Sequence, residues 1–357
     1  MHQSKAEVTY SMENLSSQSP SKYTDLRKLP RVSLVDAVPL PAPFTIYIEP
    51  TNVCNFKCLY CPESFSDFKE RSGGFFNLKM NDFLNIANQI EDFGGVKAIN
   101  FYMMGEPFAN PYLCEFIKIS KDRNLANNLT VTSNGSLIKE KYFEPLLNSG
   151  LDYLRISIYG GNETQHTIRT QSKYHLSTIH KNVTDFKKYR DSFKKTYPYI
   201  YVKMIDSMDA QENEQFRHLF SDASDEVFIE PVMNWNDPSD GNLALRPIED
   251  LLASEYFSNR KHVCPFPFYT LIIHADMQVS VCCVDWEKNA VVGNLRFESL
   301  NDIWMGEKMH QFRMIHLERN RKIIQACQNC TYIFTAPDNI DALTPELFQK
   351  RYLVLKT

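Results

Sequence analysis

Apolar residues along the middle of the chain alternate between two rhythms. In Lys79–Phe93, the residues Phe83, Leu84, Ile86, Ala87 and Ile90 fall at helical spacing, whereas Ala98–Met103 is a short run that suits a strand. The alternation continues with a helix over Pro111–Arg123, carrying Leu113, Phe116 and Ile117 on one face, and a strand over Leu129–Thr132 that ends in the turn signal Ser133-Asn134-Gly135. Helices over Lys139–Asn148, Leu176–Tyr189 and Glu212–Phe220 separate strands over Leu151–Tyr159, Tyr199–Ile205 and Val227–Val232. With Phe44–Glu49 in front, this makes six β/α steps. Such alternation predicts a parallel sheet with helices outside it. Polar and unusual residues cluster after the strand ends, where (β/α) barrels place their chemistry. The expected fold class is therefore α/β, a partial (β/α)6 TIM-like barrel.

The rhythm changes after Asn234–Asn242, which is polar and turn-rich and reads as a linker. Phe268–Ile273 and Gln278–Val284 predict a hairpin with its turn at His274–Met277. Ser299–Met309 and Glu307–His316 read as helical. Thr344 is placed to cap a last helix with Pro345 at its first position. The expected organisation is a flexible N-terminal extension over 1–43, the barrel over 44–235, a linker over 236–260, a small α+β domain over 261–335 and a C-terminal helix over 336–357. The extension is rich in Ser, Gln and Lys at first and stiffened later by Pro39, Pro41 and Pro43.

Composition narrows the classes. The net charge is −4, from 39 basic and 43 acidic residues, so no global basic field argues for nucleic acid or an anionic membrane. No run approaches the roughly 18 apolar residues of a membrane span, and the N-terminus lacks the apolar core of a signal peptide. The reading is a cytoplasmic protein with reduced thiols. Its nine cysteines are an odd number in a reducing compartment, which disfavours a disulfide framework. Three lie within eight residues near the front, five lie in the last 94, and only Cys114 stands alone, on a helical pattern that suits a buried structural thiol.

The front group, Cys54-Asn55-Phe56-Lys57-Cys58-Leu59-Tyr60-Cys61, has C-x3-C-x2-C spacing on a loop just after the first predicted strand. Three thiolates on one loop can converge on a soft metal centre. A structural zinc site would want a fourth ligand nearby, and no His or Cys lies between Cys61 and Cys114. A [4Fe–4S] cluster prefers thiolates, and three of them leave one iron open.

This arrangement resembles the radical S-adenosylmethionine (SAM) superfamily. The resemblance covers roughly residues 44–232 and implies a cluster on Cys54, Cys58 and Cys61 whose open iron is chelated by SAM. One electron then cleaves SAM to methionine and a 5′-deoxyadenosyl radical, which abstracts a substrate hydrogen. By the same resemblance Tyr60 packs near the adenine. Met103-Met104-Gly105-Glu106-Pro107 is similar to the family's glycine-glutamate motif, with methionines where the first glycines usually stand, so Gly105 and Glu106 are expected near the SAM amino group. Thr132-Ser133-Asn134-Gly135 is similar to another motif of the family, which brings in Ser133 and Asn134. Ser157 is expected on the SAM ribose or carboxylate, and Arg169 on the carboxylate, for which a guanidinium is the natural clamp.

At the rear, Cys264, the Cys282-Cys283 pair and Cys327-Gln328-Asn329-Cys330 can make a four-thiolate site. This tail resembles the SPASM and twitch extensions of radical SAM enzymes and implies one auxiliary [4Fe–4S] cluster. Cys264, Cys282, Cys327 and Cys330 are its expected ligands. Cys282 and Cys283 compete for one position, because adjacent residues of a strand face opposite sides. A structural zinc site is the alternative.

One-cluster members of the family resemble sugar and aminocyclitol dehydrogenases. The expected reaction is oxidation or rearrangement of such an alcohol, with the auxiliary cluster taking the leftover electron. A peptide-modifying maturase is the alternative, and a zinc-binding structural protein the non-enzyme one. An RNA-modifying role is disfavoured by the net charge. Tyr159, Lys203, Glu230, Asn234 and Trp235 are expected at the barrel mouth, with Glu230 and Lys203 available for proton transfer. Asp285 reads as a turn residue. A flavodoxin- or ferredoxin-type reductant is the implied partner.

Overall fold

The computed structural model describes residues 32–230, 261–328 and 330–356. Six parallel strands run β1 Thr45–Ile48, β2 Val96–Phe101, β3 Ala126–Ser133, β4 Tyr153–Ile158, β5 Tyr199–Ile205 and β6 Glu226–Glu230, each paired to its neighbour in chain order. Helices α1 Met80–Asp92, α2 Leu113–Asp122, α3 Phe143–Asn148, α4 Glu163–Thr170, α5 Leu176–Ser192 and α6 Ala210–Phe220 connect them. α1 buries Phe83, Ile86, Ala87 and Ile90 of the stripe its periodicity marked, whereas Leu84 is exposed. Phe83 stacks on Phe116 of α2 at 4.3 Å. Cys114 is buried on the same helix, a packing thiol whose pKa burial pushes up to about 12.

Sequence reading missed α4. It buries only His166 and Thr170, too few to make an apolar stripe. Its start is set instead by Asn162, whose side chain accepts from Gln165 N–H. The predicted strand over Val227–Val232 is seen as Glu226–Glu230, and its last two residues lie outside the described residues.

The cysteine-rich tail continues the same sheet. β7 Thr270–Ile273 pairs parallel to β1, from Thr45 opposite Thr270 to Ile48 opposite Ile273. Antiparallel β8 Gln278–Ser280 and β9 Val291–Asn294 follow, so the nine-stranded order is β6-β5-β4-β3-β2-β1-β7-β8-β9. β8 is shorter than expected. It stops at Ser280 after an irregularity between Val279 and Ser280, and Cys282 and Cys283 lie beyond it, Cys283 in a turn. The strand argument for choosing between them therefore does not apply. Asp285 closes the next turn by accepting from Asn289 and Ala290 N–H, as expected of it.

α7 Leu300–Trp304 and α8 Glu307–Leu317 pack beside β9, and α9 Pro345–Lys356 ends the fold. Thr344 Oγ1 caps α9 by accepting from Leu347 N–H. Residues 34–43 are not a loose part of an extension. Leu34, Val38 and Leu40 join the main core, Trp304 donates to Leu40 O at 2.8 Å, and Arg351 donates to Val35 O at 2.6 Å. Apolar side chains before and between the prolines give this segment a face to bury. Among the described residues no helix is long and apolar enough to cross a membrane.

Candidate active site

A cavity of about 510 Å³ opens at the C-terminal ends of the parallel strands. It is lined by Cys54, Cys58 and Cys61 on one side and by Lys203 and Glu230 on another. Gly105, Glu106, Ser133, Asn134, Ser157 and Tyr159 also line it. Tyr60 and Arg169 are not among the lining residues, and Asn234 and Trp235 lie outside the described residues.

The loop that carries the front cysteines has no regular structure, so its shape comes from its anchors. Lys57 N–H donates to Thr170 O, and Leu59 N–H donates to Arg169 O at the end of α4. Asn55 donates to Ser136 Oγ after β3, and Thr51 Oγ1 donates to Phe76 O. Glu106 N–H donates to Val53 O at 3.0 Å, which draws the end of β2 onto the loop. That approach requires glycine at 105, because a Cβ there would sit 2.5 Å from Thr51 O and 2.7 Å from Val53 O.

Burial raises the pKa of all three thiols, and negative neighbours add to it for Cys54 and Cys58. Cys61 is pushed up to about 12. Cys58 feels the charge of both Cys61 and Cys54, so the three sulfurs form one electrostatic group. Among the described residues no three Cys, His, Asp or Glu side chains are gathered as they would be around a single metal ion. Three sulfurs with no nitrogen or oxygen donor suit an iron–sulfur cluster, whose positive irons would draw off the thiol protons.

Glu106 braces two strand ends. Its carboxylate accepts from Ser133 Oγ at 2.7 Å, from Asn134 N–H at 2.7 Å and from Phe108 N–H at 3.2 Å. Burial pushes its pKa to about 7, against those three donors. Ser133 and Asn134 are thus fixed by the residue they were expected to accompany. Asn134 also donates to Asn55 in the cysteine loop at 2.8 Å.

The Arg169 guanidinium forms a two-pronged pair with Glu212 of α6, at 2.6 and 2.9 Å, and donates to Tyr159 O at 3.3 Å. Glu212 is buried and also accepts from Gly161 N–H at 2.9 Å. This fork on one buried carboxylate ties α4 to α6. Sequence alone gave no sign of Glu212, which lies 43 residues away. Tyr60 lies beside this pair, with its ring 6.4 Å from that of Tyr159.

Opposite the cysteines, Lys203 Nζ lies 2.6 Å from Glu230 Oε2, across the β5–β6 pairing. Arg155 adds a second cation, 3.7 Å from Glu230 Oε1, and donates to Tyr102 Oη at 3.1 Å. Sequence reading missed Arg155 and Tyr102. The available signal was the period of two along β4, which puts Arg155 on the same face as Ser157.

At the rear, Cys264, Cys282, Cys327 and Cys330 share one pocket of charge. Burial raises Cys264 to about 12, with Cys330 next, and burial raises Cys327, with Cys264 and Cys330 next. Cys282 is held high first by its hydrogen bond to Cys283, then by burial, and it feels Cys330 and Cys264. Cys283 is the member of the pair that reaches the cavity. It lines the main cavity and its thiol is lowered by hydrogen bonds from Cys282, Tyr332 and Tyr47. The four-sulfur donor set fits a second cluster as the front set fits the first.

Comparison with known proteins agrees with this geometry. Residues 48–207 match the model of the radical SAM superfamily, and residues 264–331 match that of the SPASM iron–sulfur cluster-binding domain. The chain is 24% identical over 319 residues to a tungsten-containing aldehyde ferredoxin oxidoreductase cofactor-modifying protein of Pyrococcus furiosus, covering 80% of this chain and 86% of that one. It is 22% identical over 289 residues to an S-adenosyl-L-methionine-dependent 2-deoxy-scyllo-inosamine dehydrogenase of Niallia circulans, covering 81% and 92%. In fold it is similar to BtrN solved with AdoMet and 2-DOIA, with a TM-score of 0.55, 18% identity, and 81% and 92% of the two chains covered. It is also similar to Streptococcus suis SuiB bound to S-adenosylmethionine, with a TM-score of 0.61, 13% identity, and 88% and 78% covered.

Fold and site together define an iron–sulfur enzyme built on a partial α/β barrel. The chain belongs to the radical SAM superfamily and carries a SPASM domain. Its cofactors are SAM and two [4Fe–4S] clusters.

Proposed function

We propose that this enzyme oxidises or rearranges an alcohol of a sugar or aminocyclitol, with Cys54, Cys58 and Cys61 holding the SAM-binding cluster and Cys264, Cys282, Cys327 and Cys330 the auxiliary one. When bound, these groups supply a 5′-deoxyadenosyl radical that takes a carbinol hydrogen and a nearby acceptor for the electron left behind. The protein's own part is to place the substrate and to take the hydroxyl proton.

One observation carries the reading. The Lys203–Glu230 pair, separated by 2.6 Å, lines the same cavity as the three front thiols. Glu230 is the proton acceptor in this reading. Lys203 and Arg155 hold its carboxylate toward the cavity, and their charge steadies the oxygen as its proton leaves. Gly105 lets the backbone close over the front loop, Glu106 fixes Ser133 and Asn134, and Ser157 offers a hydroxyl to the cofactor. Tyr60 and Arg169 support that wall from outside the lining. Cys283, Tyr47 and Tyr332 line the side of the cavity nearest the auxiliary thiols. The relative from Niallia circulans, named a dehydrogenase, supports the substrate class. A flavodoxin- or ferredoxin-type protein is the proposed electron donor.

The test is anaerobic turnover with SAM, a reductant, and sugars or aminocyclitols deuterated at single carbinol carbons. Deuterium entering 5′-deoxyadenosine together with a ketone product supports the reading. Deuterium transfer only from labelled peptides would move the assignment to a peptide-modifying maturase. Zinc in place of iron and acid-labile sulfide would end both.

A further inference from the structure

His316 sits in the last turn of α8, buried to 1% exposure, with its ring stacked on Phe312 at 5.1 Å. Its Nε2 lies 3.7 Å from Cys327 Sγ, within range of a hydrogen bond to sulfur. Its Nδ1 is buried and has no hydrogen-bond partner among the described residues. Beside it, Arg321 donates through Nη1 to Cys327 O at 2.7 Å and to Cys330 O at 3.1 Å. The guanidinium thus holds both ends of the C-x2-C turn from outside.

A neutral imidazole has one N–H. With no acceptor among the described residues facing Nδ1, the proton belongs on Nε2, the nitrogen turned to the sulfur. An N–H aimed at a ligating sulfur, and a cation next to it, both stabilise the extra negative charge of a reduced cluster.

We propose that His316 is a positioning and tuning residue of the auxiliary centre: it donates Nε2–H to the Cys327 thiolate and, with Arg321, raises the electron affinity of the cluster bound there. This inference rests on the reading of that centre as the acceptor for substrate oxidation. In that reaction the substrate radical loses one electron, the cluster gains it, and the hydroxyl proton goes to Glu230. A more electron-hungry acceptor makes the step run forward. The residue lies 11 positions before Cys327 and acts through it, without reaching the cavity lining.

The test uses a Cys54→Ala, Cys58→Ala, Cys61→Ala protein, so that only the auxiliary cluster remains, with histidine labelled by nitrogen-15. Pulsed electron paramagnetic resonance of the reduced cluster should show a weak nitrogen-15 coupling. The coupling should vanish in His316→Leu and His316→Gln. The midpoint potential should fall in His316→Leu and return toward the parent value in His316→Gln, which keeps an N–H donor. Iron bound with no nitrogen-15 coupling in the parent, or a potential unchanged in His316→Leu, overturns the inference alone. If His316→Leu loses its iron, the parent coupling decides the matter. A triple variant that binds no iron or sulfide removes the auxiliary cluster itself, and both readings fall.

Discussion

His274 Nδ1 lies 3.5 Å from Glu49 Oε2, and both side chains are almost wholly buried. Glu49 follows β1 and leads into the front cysteine loop, whereas His274 follows β7 in the hairpin that leads to Cys282. The same carboxylate accepts from Met104 N–H and Ala275 N–H, and His274 Nε2 lies 2.9 Å from Ser280 Oγ. One buried network therefore joins the supports of both cysteine sites. Burial raises the pKa of Glu49, but His274, Ala275 N–H and Lys288 outweigh it and the net shift is downward. Its contribution is thus present above the unfolded carboxylate range and is lost as pH falls through the lowered folded value. Glu49→Gln should cost about 1–3 kcal/mol near neutral pH, because the buried Met104 and Ala275 N–H groups lose a charged acceptor. Chemical unfolding of the anaerobic protein checks this, and a loss below 1 kcal/mol would count against the network.

Gly105→Ala should damage the front site more than the fold. The added methyl meets backbone atoms of Thr51 and Val53 at 2.5–2.7 Å, which cannot swing away as a flexible side chain would. Overpacking of this kind costs about 1–3 kcal/mol. Displacing the loop should lower iron at the front cluster and SAM cleavage together. Iron analysis and 5′-deoxyadenosine assays measure this, and a variant with parental values of both would refute the close-approach argument.

Cys282 and Cys283 should separate cleanly. Cys282→Ser should lose the auxiliary cluster, about half of the iron if each cluster holds four atoms. Cys283→Ser should keep its iron while changing the cavity wall between Tyr47 and Tyr332. Iron counts and visible spectra of the two variants decide it. The opposite pattern would exchange their roles.

Glu230→Gln should preserve SAM cleavage and suppress product. The amide keeps the size of the side chain but cannot take the proton, so turnover should fall roughly 10²–10⁴-fold. Lys203→Met should do the same to a smaller degree, since Arg155 still faces the carboxylate. The readout is the ratio of ketone to 5′-deoxyadenosine. An unchanged ratio in Glu230→Gln would place the base elsewhere.

Glu106 gives a pH dependence of opposite sign to Glu49. Its folded pKa is raised to about 7 by burial, so the native state binds a proton that the unfolded chain releases near 4.5. Its contribution is full below the unfolded value and declines as pH rises to about 7, by on the order of 3 kcal/mol. The stability of the wild type relative to Glu106→Gln should therefore fall from pH 5 to pH 8. Unfolding curves at several pH values test this, and a constant difference would mean that the three donors hold Glu106 ionised throughout.

The residues that chain neighbours alone can specify were legible in the sequence. Phe83, Ile86, Ala87 and Ile90 revealed α1 by their spacing, and Tyr199–Ile205 was bounded as the structure shows it. The C-x3-C-x2-C loop announced a group of three thiols because all three lie on one short segment. What the tertiary structure decided were partnerships between distant segments. The sheet pairs β1 with β7, 225 residues apart at Thr45 and Thr270, and so makes the rear domain a continuation of the barrel. It turns Arg169 onto Glu212, sets Arg155 beside Glu230, and puts Cys283 but not Cys282 on the cavity wall. Periodicity reports which face of an element is apolar. It carries no record of which charge will meet which across a fold, because that depends on the packing of every element between them.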